Sequence, residues 1–317
     1  MPEFHDHERK KTVRLQWDTP ILRWLYERWN TKYFYCGLPG PAALDIKLWQ
    51  PMIRRVVAFE LERERTNRPR QNIEELSRNL TVMDMRHAVF CGSLEETILW
   101  REDEDGTKFE LDEFVTLFNL DFCGRITERI ETPKGKRCLR FEAIREILTI
   151  QRNLFRETGE GRFIILITAH DSFEVNAMGQ FLARPDMPKA ASQFAEKAAS
   201  SRPLSSTGSA HNTDLLRLFV FSCLREYFHG QNVWSVFLPT VSYFGTSKST
   251  RMMHLVAVCR MEKQESPLVI ESQSLEEFLE MKVVRATDDT IKVEQDSIGL
   301  NASVANPTTL LETYLSQ

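Results

Sequence analysis

Apolar and polar positions along the chain switch between helical and strand spacing, and the switches mark its elements. Residues 19–31 carry Ile21, Leu22, Trp24, Leu25 and Trp29 at helical spacing, which predicts an amphipathic helix. Tyr33–Cys36 then reads as a first strand. Gly37, Pro39, Gly40 and Pro41 follow as a turn, because glycine reaches positive φ and proline fixes its own. Pro41 suits the first turn of a helix, so Ala42–Ile53 is expected to be helical and Arg55–Phe59 to form a second strand.

The pattern repeats further along. Asn72–Leu80 reads as a helix, His87–Cys91 as a third strand closed by Gly92, and Phe114–Phe122 as a longer, mixed fourth strand. Arg140–Thr158 is expected to be a long helix, with Ile144, Ile147, Leu148, Ile150 and Leu154 spread over its face. Phe163–Thr168 is almost continuously apolar, as a strand covered on both faces requires. Residues 184–214 are rich in Pro, Ser, Ala and Gly and read as a flexible insertion or lid. Leu215–Phe228 is an apolar helix. Val233–Phe244 and Met252–Met261, joined by GTSKSTR, read as an antiparallel hairpin. The tail predicts a short helix at Leu275–Met281, a small hairpin around Asp288 and Asp289, and a last helix after Pro307. Strands alternating with helices define an α/β fold with a mainly parallel sheet and helices on both faces. The expected division is a helical arm over 1–30, a Rossmann-like domain over 31–261 and a small extension over 262–317.

Composition narrows the functional classes. The 317 residues are 42% hydrophobic, enough for a sizeable core. No apolar run reaches the length of a membrane span, and the charged N-terminus lacks a signal core; a cytoplasmic location without membrane contact is the expectation. A formal charge of −4 gives no global basic footprint for nucleic acid, although local basic patches occur. The six cysteines are widely spaced without a CxxC pair, so they read as reduced thiols and no metal site is expected.

The stretch YFYCGLPGPAALDIKLWQPMIRRVVAFELE, residues 33–62, carries the first candidate chemistry. Glycines let a ligand approach the backbone, and a helix start favours polar or anionic groups. Glu60 lies 23 residues after Gly37, close to the spacing at which a carboxylate ending a second strand meets ribose hydroxyls. Three further groups stand at predicted strand ends. Asp121 ends the fourth strand, where it could accept a proton. His170 and Asp171 follow the clearest strand, where the histidine is a candidate base and Asp171 or Ser172 a candidate helix cap. Cys36, Cys91 and Cys123 also sit at strand ends, as a thiol-lined site or as small buried hydrophobes.

This order of elements resembles the class I S-adenosylmethionine-dependent methyltransferase superfamily over about residues 30–261. Its glycine loop, second-strand acid, third-strand loop, fourth-strand motif and terminal hairpin correspond here to GLPGP, Glu60, CGSLEE, NLDFCG and residues 233–260. The resemblance implies S-adenosylmethionine as cofactor, held by Gly37, Pro39, Gly40, Glu60 and Ser93, with Asp121 and His170 as catalytic candidates. The chain departs from the usual D/E-x-G-x-G-x-G motif and lacks a D-P-P-Y motif. The expected activity is methyl transfer with a lean to a nucleic-acid acceptor, motivated by Arg63, Arg65, Arg68 and Arg70 and by Lys248 and Arg251. The alternative is a non-catalytic subunit that binds a protein partner in a complex. A nucleotide hydrolase ranks last, since no G-x-x-x-x-G-K-[ST] loop is present.

Overall fold

The computed structural model describes residues 8–61, 71–132, 135–159, 161–185, 187–201, 209–210, 212–245, 250–263, 273–294 and 307–315. The basic run 63–70 and Lys248 lie outside them, as does the Cys123 side chain.

In chain order the helices are α1 (Glu8–Val13), a π-helical turn (Arg14–Asp18), α2 (Thr19–Trp29), α3 (Leu44–Trp49), α4 (Gln71–Val82), α5 (Leu94–Trp100), α6 (Leu139–Thr158), α7 (Val175–Leu182), α8 (Lys189–Ser201), α9 (Thr213–Gly230), α10 (Leu275–Glu280) and α11 (Pro307–Leu315). The strands of the main sheet are β1 (Tyr33–Gly37), β2 (Ile53–Glu60), β3 (Arg86–Cys91), β4 (Leu117–Arg125), β5 (Arg162–His170), β6 (Val233–Phe237), β7 (Val241–Phe244), β8 (Arg251–Met261), β9 (Val284–Ala286) and β10 (Ile291–Val293). Among the described residues no helix is long and apolar enough to cross a membrane.

The sheet order is β10-β9-β7-β8-β5-β4-β1-β2-β3, with β6 also paired to β8. Strands β1 to β5 run parallel. Strand β8 is antiparallel to β5, β6 and β7. This is a Rossmann-like, mainly parallel sheet whose antiparallel hairpin strands β7 and β8 lie next to β5, with β9 and β10 beyond them. The reading of Val233–Phe244 as one strand is corrected to two. Pro239 sits between β6 and β7 and has no N–H for the ladder, so the pairing onto β8 ends at the Leu238 amide, which donates to Val256 at 2.9 Å.

Each face of the sheet packs its own apolar cluster. One holds Cys36, Phe59 and Phe118 against α5, α6 and α9; the other holds Tyr35, Ala58 and Leu166 against α1 to α4. Caps fix several helix ends. Gly159, at φ 72°, closes α6 by donating its amide hydrogen to the Phe155 carbonyl, and Ser274 with Glu277 forms a capping box on α10.

One segment behaves differently from its sequence reading. Residues 189–201, expected within a flexible insertion, form helix α8, and its Ala191, Phe194, Ala195 and Ala198 join the core. Alanine favours helix, and these four positions recur at three- and four-residue intervals, so the composition that read as a linker is an amphipathic face. The small hairpin expected around Asp288 and Asp289 forms from β9 and β10, and it joins the sheet, since β9 pairs in parallel with β7.

Candidate active site

Strand β1 has β2 on one side and β4 on the other. Chain order reverses there, and the carboxyl ends of the strands around such a point form the ligand crevice of an open α/β sheet. The glycine turn stands at this edge. Gly37 is required there by packing. A Cβ on it would overlap the carbonyl oxygen of Asn119 in β4 and stand 2.8 Å from its carbonyl carbon. Gly40 differs: its φ is +68° and the space beside it is open. The close approach read for both glycines is therefore taken up at Gly37 by β4, and Gly40 faces the free volume. The expected helix Ala42–Ile53 shortens to α3, because Ala43 adopts a left-handed conformation and Gln50–Met52 tightens into a 3-10 turn.

Glu60 ends β2, half-buried, opposite Cys91 in β3; the Asn72 amide approaches its carboxylate at 3.5 Å. Ser93 caps α5, accepting the Glu96 amide and donating to Glu95 at 2.9 Å. Pro39 lies in the turn between β1 and α3.

Beside β1, the segment FNLDF of β4 alternates apolar and polar side chains, which puts Asn119 and Asp121 on one face. Asn119 donates to the Tyr35 hydroxyl at 3.1 Å and to Asp45 of α3 at 2.7 Å. Asp121 is ion-paired with Lys10 of α1. In register across the sheet, Asp121 lies beside Thr168 of β5, and Thr168 beside His254 of β8. The imidazole of His254 bridges Thr168 Oγ1 through Nδ1 and Asp18 Oδ1 through Nε2, both at 2.8 Å. Asp18 comes from the π-helical turn, and so does Arg14, which pairs with Asp45. These groups line a narrow pocket of about 10 Å³, room for about one water.

The buried groups are kept neutral or paired. Burial pushes the Asp45 carboxyl above its ordinary value, against the pull of Arg14 and Lys10. Burial, with the Asp45 and Asp121 charges adding to it, holds the Tyr35 and Tyr243 phenols in their protonated form. The arm that brings in Lys10, Arg14 and Asp18 is fastened by the turn of the C-terminal hairpin. Arg9 pairs with Asp288 at 2.8 Å, Thr12 donates to the Asp288 carbonyl at 2.7 Å, and Gln16 donates to the Asp289 carbonyl at 2.6 Å.

The sequence singled out Asp121 as a candidate; Asn119, His254, Lys10, Arg14 and Asp18, which the structure brings into the same pocket, it did not single out. His254 had one visible signal: it is the polar interruption in the apolar run of β8. His170 is the last residue of β5, half-buried, opposite Met252 and Arg125, two positions beyond Thr168. The N-cap of the next helix, α7, is Glu174, not Asp171 or Ser172. Asp171 accepts Thr213 Oγ1 at 2.5 Å and pairs with Arg251 at 3.3 Å. Arg251, read as an anion contact, also pairs with Glu294 at 2.5 Å, and Glu294 holds Arg285 at 2.6 Å and Ser242 at 2.9 Å. Burial alone would raise the Glu294 carboxyl, but Arg251, Ser242 and Arg285 outweigh it and hold it below the usual range. A depressed carboxylate stabilises the fold above its unfolded pKa and loses that contribution as pH falls through the folded value. Glu294→Gln is expected to flatten the acid side of the stability-against-pH curve, read by urea titration.

Cys36 is buried in the cluster on the opposite face from Asp121, and burial pushes its thiol up. Cys91 is buried as the last residue of β3, and the five cysteines described are free thiols.

No protein-family profile matches the chain, and no curated protein matches it by sequence. Solved structures align with it. Magnesium protoporphyrin IX methyltransferase from Synechocystis shares 12% identity, over 81% of this chain and 88% of that one, with a TM-score of 0.36. An rRNA methylase from Streptococcus thermophilus shares 13%, over 77% and 97%, at 0.38. A class I S-adenosylmethionine-dependent methyltransferase from Listeria monocytogenes, described as putative, shares 9%, over 93% and 68%, at 0.40. Scores this low carry no functional information, and the fold rests on the strand order itself.

Proposed function

We propose that the protein is an S-adenosylmethionine-dependent methyltransferase. One observation carries this reading. The sheet order places the glycine turn, Glu60 and the Asn119–Asp121 pair around one switch point, with open space at Gly40. That space and the Glu60 carboxylate suit a nucleoside with ribose hydroxyls. Gly37, Pro39 and Gly40 would border the cofactor's chain, Glu60 would accept its hydroxyls, and the turn at Ser93 would border its base. S-adenosylmethionine supplies an electrophilic methyl group when bound. Asp121, and with it Lys10, would stand at the acceptor side. For the acceptor, nucleic acid is carried forward from the sequence; the runs that motivate it lie mostly outside the described residues.

A second reading, a non-catalytic subunit that binds a protein partner, is favoured by the way Lys10 and Arg14 fill the crevice beside Asp121. Calorimetric titration with S-adenosylmethionine and S-adenosylhomocysteine separates the two, with ATP and NAD as controls. Micromolar binding that Glu60→Ala weakens by about 10-fold or more supports the enzyme, since a charge-assisted hydrogen bond is worth about 1.5–3 kcal/mol. No binding by a folded sample overturns it.

A further inference from the structure

We infer that α1 is an autoinhibitory latch: it shuts the crevice beside Asp121 and lifts away at the π-helical turn while the rest of the arm stays in place. The inference goes beyond the methyltransferase reading. It concerns how the chain closes its own crevice, and its test is independent of any cofactor. Lys10 and Val13 of α1 form one wall of the pocket beside Asp121, and the volume left there is room for about one water. In this closed form the Lys10 ammonium takes up the Asp121 carboxylate, and there is no room for a ligand.

The arm is held unevenly along its length. α2 buries Ile21, Leu22 and Leu25, and the π turn buries Trp17, apolar surface that returns to water only at large cost. α1 buries Val13 as its one apolar side chain, next to Thr12. Its other holds are polar. Arg9 pairs with Asp288 at 2.8 Å, the two side chains being 26% and 61% exposed, and Thr12 donates to the Asp288 carbonyl at 2.7 Å. An exposed ion pair is worth little in water and is screened by salt. The Lys10–Asp121 pair is more covered, but covering it costs both groups their hydration. When α1 lifts, both return to water, so opening leaves no charge stranded in the interior. The 6 residues of α1 are also too few to hold a helix without a surface to pack on.

The break between latch and anchor has a covalent cause. Pro20 has no N–H, so the α-helical ladder cannot run back to the Gln16 carbonyl, and the Thr19 amide bonds five residues back to Arg14. Helices bend where their ladder is interrupted in this way. On the C-terminal side of α1, Arg14 keeps Asp45 and Asp18 keeps His254. Lys10 and the clasp on Asp288 lie within α1.

The test needs no ligand. Thr168→Cys puts a thiol in the pocket wall, and alkylation by iodoacetamide is followed at each cysteine by peptide mass spectrometry. Cys36 and Cys259 are buried in the core and report global unfolding. The introduced thiol is expected to react about 100-fold or more faster than these two, the mark of a local opening cheaper than unfolding. Loosening the clasp with Arg9→Ala and Thr12→Val, which touches neither Asp121 nor the glycine turn, should raise that rate by about 5-fold or more. Raising NaCl from about 0.05 M to about 1 M should raise it by about 2-fold or more, with Cys36 and Cys259 unchanged. If Thr168→Cys fails to fold, hydrogen exchange of the wild-type chain reads the same event. The amides of α1 should exchange ahead of those of α2, and faster still in the clasp variant. A thiol that reacts no faster than Cys36 and Cys259 overturns the latch. So does one that reacts fast at a rate the clasp variant leaves unchanged, because the opening then belongs to another element. Exchange of α1 and α2 at one common rate overturns it as well. Each of these results leaves the methyltransferase reading to the cofactor titration.

Discussion

Gly37→Ala is expected to destabilise the protein by about 3 kcal/mol or more, the upper end of what overpacking costs. A Cβ at this position meets the backbone of Asn119, and none of the three nearest atoms belongs to a side chain. Flexible side chains can move aside, but here β1 or β4 itself would have to shift. The shift would disturb the pairing of Gly37 with Asn119 and the bond from the Leu38 amide to the Asn119 carbonyl at 2.9 Å. Gly40→Ala provides the contrast. Its φ of +68° strains any side chain, but nothing blocks the new methyl, so a cost of about 1–2 kcal/mol is expected. Urea unfolding of both variants checks the pair. Equal costs would show that the close approach of β1 to β4 is not what demands glycine at position 37. Gly40→Ala, being folded, also asks whether the open space beside the turn admits a ligand, through the same cofactor titration.

Arg14→Ala is expected to cost about 3–5 kcal/mol, the range found when one member of a buried ion pair is removed. Arg14 and Asp45 are both nearly inaccessible to water. Without the guanidinium, Asp45 keeps the Asn119 amide at 2.7 Å but loses the charge that offsets its burial. The loss should depend on pH, and its sign is fixed. Burial raises the Asp45 carboxyl in the folded state, so the native protein binds more protons than the unfolded chain above the ordinary carboxylate value of about 4. Stability therefore falls as pH rises through that window, and the variant, with burial less opposed, should fall further. The deficit against wild type should shrink on acidification. Arg14→Met with Asp45→Asn, which removes both charges and keeps an acceptor for Asn119, should recover most of the loss. Denaturant titrations between acidic and neutral pH read both effects. An unchanged deficit across that range would mean that Asp45 carries no charge penalty in the folded chain.

The local pattern of the sequence determined a large part of this protein. The apolar run of β5, the amphipathic spacing of α2 and α6, the glycine turn after β1 and the antiparallel pairing of β7 with β8 were legible. Each depends on neighbours within a few residues, where backbone sterics and burial period act directly. Asp121 was read as a strand end, but β4 starts at Leu117 and runs on to Arg125, so it stands mid-strand. The tertiary structure alone decided how the crevice is filled. Lys10 meets Asp121 across 111 residues, and Asp18 meets His254 across 236. Nothing local in HERKKTVRLQWD distinguishes a solvated charged arm from one whose charges are buried. The difference arises only when α1 and the π turn settle on the sheet face beside β4, β5 and β8. Residues 189–201 show the same limit: an alanine-rich segment reads as linker until a neighbouring surface exists to bury it. Local physics fixed the strands and their order of appearance, and long-range desolvation chose which polar side chains face one another at their ends.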